Sequence, residues 1–364
     1  MLFNGIYKNK KVFVTGHTGF KGSWLVTWLC ELGAEVAGFS NEVPTNPSLY
    51  ETLNLEKKIK DFRADIRDNY ILKKNLNDFQ PEVIFHLAAQ PIVSDSFKNP
   101  VKTFEVNLMG MVNLLECMRE LPKLQAAVLI TSDKCYENVE WEYGYREDDR
   151  LGGKDPYSAS KAAAEIAFGA YVSSFFKTSS ISLSTARAGN VIGGGDWAQD
   201  RIVPDCMRAW SQQKPVSIRN PHSTRPWQHV LEPLSGYLQL GAQLITNPQN
   251  LNHDAFNFGP NHEVNVSVIE LLEKLKKHWE NVEINTVLNT EFALKEAGLL
   301  KLNCDKALAR LNWLPTLTLD ETTDFTSYWY KTYYNNPNEI KEITKNQIAQ
   351  YAQKALERKR AWIK

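Results

Sequence analysis

Two short segments of this chain concentrate side chains that move protons. Thr131-Ser132-Asp133-Lys134 places a hydroxyl, a carboxylate and an amine at the end of an apolar run, and Tyr157-Ser158-Ala159-Ser160-Lys161 places a phenol and an amine four residues apart. On a helix that spacing puts Tyr157 and Lys161 on one face. An ammonium beside a phenol lowers the phenol's pKa towards neutrality and makes Tyr157 a proton acceptor. That pair is enough to oxidise an alcohol by hydride transfer. Ser132, Asp133 and Lys134 are additional acid–base equipment and point to chemistry beyond alcohol oxidation.

A hydride needs an acceptor, and the start of the chain supplies a place for one. Lys11-Val12-Phe13-Val14-Thr15 reads as a buried strand, followed by Gly16-His17-Thr18-Gly19-Phe20-Lys21-Gly22 and an apolar helical stretch from Ser23 to Leu32. Each glycine answers a different need: Gly16 a tight turn, Gly19 close approach of backbone to a pyrophosphate, Gly22 close packing of helix on strand. The helix N-terminus then offers N–H groups to the phosphates. Thr18 and Phe20 lie inside this loop and join the candidate cofactor-binding set. At the ribose end Ser40-Asn41-Glu42 offers a late acid and no arginine, which leaves NAD and NADP both open. Asp65, at the end of the third expected strand, is well placed for the adenine amine, with an ordinary strand-end or N-cap aspartate as the alternative.

Further strands are expected at 33–39, 62–65, 83–89, 126–131 and 180–187, with helices around 104–116 and 157–161. Strands alternating with helices at this spacing imply an α/β fold: a Rossmann-type, doubly wound parallel sheet covered on both faces. After Asn190 the rhythm breaks, and Gly193-Gly194-Gly195 with Pro204, Pro215, Pro221, Pro226 and Pro233 reads as a smaller, loop-rich, mixed α/β substrate lobe. Helical patterns return at 266–279 and 305–311. The expected division is a dinucleotide-binding domain over 1–190, rejoined by about 225–260, a lobe over 191–335, and a charged helical tail over 336–364.

Composition excludes several classes. Lysine plus arginine (42) balance aspartate plus glutamate (42), so net charge suggests neither a nucleic-acid nor a membrane partner. No apolar run approaches the roughly 20 residues that span a bilayer, and Met-Leu-Phe-Asn-Gly-Ile does not read as a signal peptide. Cys30, Cys117, Cys135, Cys206 and Cys304 are odd in number and scattered, which fits free thiols in a reducing cytoplasm. Cys135 reads as a small buried hydrophobe. His86 and His229 lack metal-ligand spacing and read as structural, so no metal is expected.

Taken in order, Gly16-x-x-Gly19-x-x-Gly22, Asp65-Ile66, Leu87-Ala88-Ala89, Asn107, Ser132, Tyr157-x-x-x-Lys161, Asn190, Arg225-Pro226-Trp227, Asp305-Lys306-Ala307 and Trp313-Leu314-Pro315 resemble the extended short-chain dehydrogenase/reductase family, and within it the nucleotide-sugar 4,6-dehydratases. Residues 131–138, 188–197 and 225–233 are similar to the branch acting on CDP-glucose. Most relatives carry Asp-Glu where this chain has Asp133-Lys134, a departure that fits this branch.

The resemblance implies NAD as cofactor, CDP-glucose as substrate, a homodimer or homotetramer built on a four-helix bundle, and cofactor contacts at Asp65, Ile66, Leu87, Ala88, Ala89 and Asn107. It also implies a reaction order: C4 oxidation with Tyr157 as base, Lys161 as its tuner and Ser132 on the developing ketone; elimination with Asp133 as acid and Lys134 as base, or a proton shared between them; and hydride return to C6. A protonated Asp133 sits awkwardly with a neighbouring ammonium, and Lys134 would need burial to become a base. For the diphosphate, Arg201, Arg219 and Arg225 are the candidate cations, with Asn190 as a substrate-side hydrogen-bonding residue. Trp197 and Trp227 are open between stacking on a base and filling core, and Glu165 reads as a surface or cap residue. A nucleotide-sugar 4-epimerase would share the Tyr157–Lys161 site without needing Asp133-Lys134, and a non-catalytic nucleotide sensor would need neither.

Overall fold

The computed structural model describes residues 1–218, 220–261, 266–280, 282–286 and 299–363. Seven strands form the central sheet: β1 (Lys11–Thr15), β2 (Glu35–Ser40), β3 (Lys60–Arg63), β4 (Val83–His86), β5 (Ala126–Ile130), β6 (Ser182–Ala188) and β7 (Ala255–Phe258). Their spatial order is β7-β6-β5-β4-β1-β2-β3, and every neighbouring pair is parallel. Chain direction across the sheet reverses between β1 and β4, which opens a crevice beyond their carboxyl ends.

The strands are apolar because both faces are covered. Along β1, Val12 and Val14 enter the core on one side of the sheet and Phe13 the core on the other, as the two-residue period requires. On the Phe13 side lie α2 (Asn69–Phe79), α3 (Gly110–Met118) and α4 (Pro156–Tyr171), with Leu72, Leu76, Leu114 and Phe168 in the core. On the Val12 side lie α1 (Phe20–Glu31) and α6 (Leu231–Thr246), the latter burying Leu234 and Leu238, each worth about 1.5–3 kcal/mol. The same core takes in α5 (Ile202–Ser211), α7 (Val268–Lys276), α8 (Asp305–Leu311), α9 (Leu319–Asn335) and α10 (Ile340–Glu357).

The region after Asn190 is more helical than its prolines suggest. Pro204 and Pro233 each sit in the first turn of a helix, α5 and α6, where the missing N–H costs nothing. α9 begins on a capping box between Thr318 and Glu321, a signal legible in sequence. α10 packs on α1, and Trp362 stacks on both Phe3, at 5.1 Å, and Tyr351, at 5.6 Å. No helix among the described residues is long and apolar enough to cross a membrane.

Candidate active site

The glycine loop lies at the carboxyl end of β1. Gly16 has φ of +71°, and a Cβ there would sit 2.7 Å from the Ala88 backbone nitrogen. A Cβ on Gly22 would lie 2.2 Å from the Gly16 carbonyl oxygen, so both positions exclude a side chain. At Gly19 the nearest atom is 3.4 Å away, which leaves the backbone approachable. α1 starts at Phe20 with no side-chain cap and no acid in its first turn, an arrangement suited to a pyrophosphate. The chain's own residues therefore fit a dinucleotide.

Around this cradle the expected cofactor residues divide. Thr18 is buried, and its hydroxyl donates to the Glu42 carbonyl at 2.6 Å, tying the loop to the end of β2. Leu87, Ala88 and Ala89 form the partly exposed exit of β4, where Thr15 Oγ1 accepts the Leu87 and Ala88 N–H groups. Asn107 is buried in a π-turn, accepts the Gln90 N–H at 2.8 Å and donates to Ser160 Oγ at 2.9 Å; it bridges the β4 exit to α4. Asp65 accepts from the Arg67 guanidinium, which holds its carboxyl below the usual range, and Ile66 packs beneath Gly110. His17 Nε2 donates to Asp61 Oδ1, 2.8 Å away, with its ring filling the space a side chain at Gly38 would need.

The acid–base residues converge beyond β5. Ser132 caps a short turn, Asp133–Cys135, its Oγ accepting the Lys134 N–H at 3.2 Å and donating to Asp133 Oδ1 at 3.0 Å. α4 begins with Asp155 capping Ser158 and Pro156 in its first position, which fixes Tyr157 and Lys161 against that turn. Both are buried, as are Ser132 and Asp133, whereas Lys134 is only half-buried.

Burial decides the protonation of this cluster. It pushes the Tyr157 phenol up to about 12, with a hydrogen bond from Ser132 acting in the opposite direction. That corrects the expectation of a lowered phenol: desolvation of the phenolate outweighs the Ser132 hydrogen bond and the Arg201 charge. Burial likewise lowers Lys161 to about 8, against the attraction of Glu165. Asp133 is raised because desolvation exceeds the pull of Lys134, the Ser132 hydroxyl, Lys21 and Arg225, the direction a proton donor beside an ammonium requires. Its Oδ2 is buried without a hydrogen-bond partner and lies 3.1 Å from where a Cβ on Gly189 would project.

Of the substrate-side cations, Arg201 pairs with Asp196 at 2.8 Å and acts on Tyr157 and Lys21. Arg225 acts on Asp133 and donates to the Thr224 carbonyl. Asn190 accepts the Gln228 N–H through its backbone at 3.2 Å. Arg219 lies outside the described residues. Trp197 and Trp227 are both buried, the first among Trp329, Tyr330 and Tyr333 and the second donating to the Val266 carbonyl; they fill core. His86 shares a hydrogen bond with Thr15, and burial holds both His86 and His229 near 3, so they stay neutral. Among the described residues no cluster of histidine, cysteine and carboxylate side chains is arranged to hold a metal.

Two residues take part in the site in ways the sequence reading did not give them. Lys21 is held at about 8 by burial and by Arg201 and Lys161, and its Nζ lies 3.4 Å from Tyr237 Oη, a partner far along the chain. Glu165 corrects its surface reading. It is buried in an ion pair with Arg187 at 2.8 Å, and the clue was the four-residue ladder Tyr157, Lys161, Glu165 on one helix face.

A family model described as GDP-mannose 4,6 dehydratase matches residues 13–326. The chain belongs to this family. A CDP-glucose 4,6-dehydratase of Salmonella typhimurium is 43% identical over 356 residues, covering 96% of this chain and 98% of that one. A CDP-paratose 2-epimerase of Salmonella typhi is 23% identical over 85% of the chain. Among solved structures, Epimerase Mth375 of Methanothermobacter thermautotrophicus superposes with a TM-score of 0.79 at 23% identity over 93% of this chain and 97% of that one. A dTDP-glucose 4,6-dehydratase of Bacillus anthracis in complex with NAD gives 0.73 at 19% identity, covering 92% of this chain and 99% of that one. These two likenesses bear on the fold, a parallel sheet shared by the epimerases and dehydratases of the family.

Proposed function

We propose that this protein is an NAD-dependent hydro-lyase that converts CDP-D-glucose to CDP-4-keto-6-deoxy-D-glucose. The observation that carries the reading is a buried Asp133, its carboxyl raised by desolvation and one oxygen without a hydrogen-bond partner, set on one turn with Lys134 and close enough to act on Tyr157. An epimerase has no use for that turn. The substrate follows the 43% identical relative.

Bound at the glycine cradle, NAD would take up the hydride from C4 and give it back at C6, leaving no net redox change, and its positive charge would favour the Tyr157 phenolate. Tyr157 takes the proton of the sugar's 4-hydroxyl, and Ser132 donates to the oxygen that becomes the ketone. The ketone acidifies the C5 hydrogen. Lys134 accepts that proton and returns one to C5 when the methyl group forms, while Asp133, its carboxyl raised by burial, protonates the departing C6 hydroxyl. Arg201 and Arg225 hold the diphosphate. Five unpaired cysteines fit the reducing cytoplasm.

The test is incubation with CDP-glucose labelled with deuterium at C4. The expected product is a 4-keto sugar with the label on its new methyl group; a galacto isomer, or no product, would refute the assignment.

A further inference from the structure

One ion pair is sealed from water directly beneath the catalytic turn. Arg187, on β6, grips Glu165, on α4, through both ends of its guanidinium: Nε to Oε1 at 2.9 Å and Nη2 to Oε2 at 2.8 Å. Their side chains are 4% and 2% exposed. The pair reaches both flanks of the turn. Thr131, immediately before Ser132, donates its hydroxyl to Glu165. Tyr136, immediately after Cys135, receives Arg187 Nη1 on its hydroxyl at 2.8 Å and passes its own proton to Asn257 Oδ1 at 2.7 Å. Thr185 adds a further donor to Glu165 at 2.9 Å.

We propose that Glu165 and Arg187 are positioning residues, a single buried clamp that locks the Ser132–Lys134 turn against the helix bearing Tyr157 and Lys161. The geometry carries this: the turn hangs between two hydrogen bonds to the pair, and Glu165 itself stands one helical turn beyond Lys161. A buried bidentate pair with its remaining lone pairs satisfied is stiff, and small misplacements of acid–base groups are costly in rate. The carboxylate also favours the Lys161 ammonium. The other groups facing Lys161 are Cys135 on the turn, Lys21 on α1 and His86 on β4, the last held neutral, so Glu165 is the anion among them.

This inference rests on Lys161 acting in the proposed redox site, and wild-type turnover of CDP-glucose is its control: no wild-type product faults the reaction, not the clamp. Glu165→Gln keeps the shape and removes the charge. In the NAD-loaded enzyme, kcat should fall about tenfold or more with KM changed by less than about twofold, and the alkaline limb of the kcat profile should move to lower pH because Lys161 has lost its anion. An unmoved limb in a folded Glu165→Gln enzyme overturns the proposal whatever its kcat, since a role in stability alone leaves the limb in place. If that variant does not fold, Thr131→Val removes only the tie from the turn. It should lower kcat severalfold at unchanged KM, and wild-type kcat in it overturns the clamp.

Discussion

At the residue scale, Asp133 and Lys134 are chain neighbours in unlike surroundings, one buried with its carboxyl raised and the other half-exposed. In the proposed mechanism Asp133 is the proton donor of the elimination; Lys134, left half-exposed, lacks the burial its part as base was expected to need, so the elimination is the step at which its removal is read. Lys134→Ala should therefore still reduce bound NAD on adding CDP-glucose, seen as the absorbance of the reduced nicotinamide, while 4-keto product falls by about 10²–10⁴-fold; full turnover would remove Lys134 from the mechanism. Asp133→Asn keeps the size and the buried position but donates poorly, and should stall at the same stage, read by accumulated reduced cofactor in stopped flow. Tyr157, Lys161 and Ser132 were legible because their spacing is local to one helix or one strand end. Lys21 was not, since its partners Tyr237, Arg201 and Asp133 meet it only in the fold.

At the scale of elements, the first six strands were legible from β-branched and aromatic runs closed by turn residues. The seventh was not: Ala255–Phe258 is short and pairs with β6 only after α6 has crossed back over the sheet. Prolines misled for a physical reason, because a first-turn proline marks a helix start as readily as a loop. The glycine loop yields a sharp expectation. Gly22→Ala places a methyl 2.2 Å from the Gly16 carbonyl, a clash costing about 1–3 kcal/mol; spread onto the cradle, it should raise the NAD dissociation constant roughly five- to hundredfold, measured by calorimetry. α6 offers a second test. Glu232 in its first turn is buried, accepts the Thr316 N–H at 2.8 Å and the Tyr351 hydroxyl at 2.8 Å, and is pushed by burial up to about 7 from an ordinary 4.5. A carboxyl raised on folding stabilises fully below about 4.5, and that contribution is lost as pH climbs through about 7. The loss is on the order of 3 kcal/mol. Urea titrations at pH 5 and pH 7.5 should show it in the wild type and a smaller difference in Glu232→Gln.

At the scale of the molecule, several of the exposed apolar side chains belong to one helical layer. Phe97, Val101 and Ile166 are 57%, 70% and 62% exposed, with Met109 and Phe175 nearby in sequence on the same helical layer, a pattern that marks an interaction face. Pairing of two copies through these helices would place α4, and with it Tyr157 and Lys161, against the subunit boundary. On that pairing the wild type should sediment as an assembly of two or more copies in analytical ultracentrifugation and Ile166→Glu as a smaller species; a wild-type protein that sediments as a monomer would refute it. The opposite flank is finished differently. Trp28 of α1 lies under Tyr351 and Trp362, residues that the ribosome delivers long after the glycine loop. Until those residues arrive Trp28 lacks its cover, and truncations that remove them while sparing every catalytic group should yield protein that clumps before it can work.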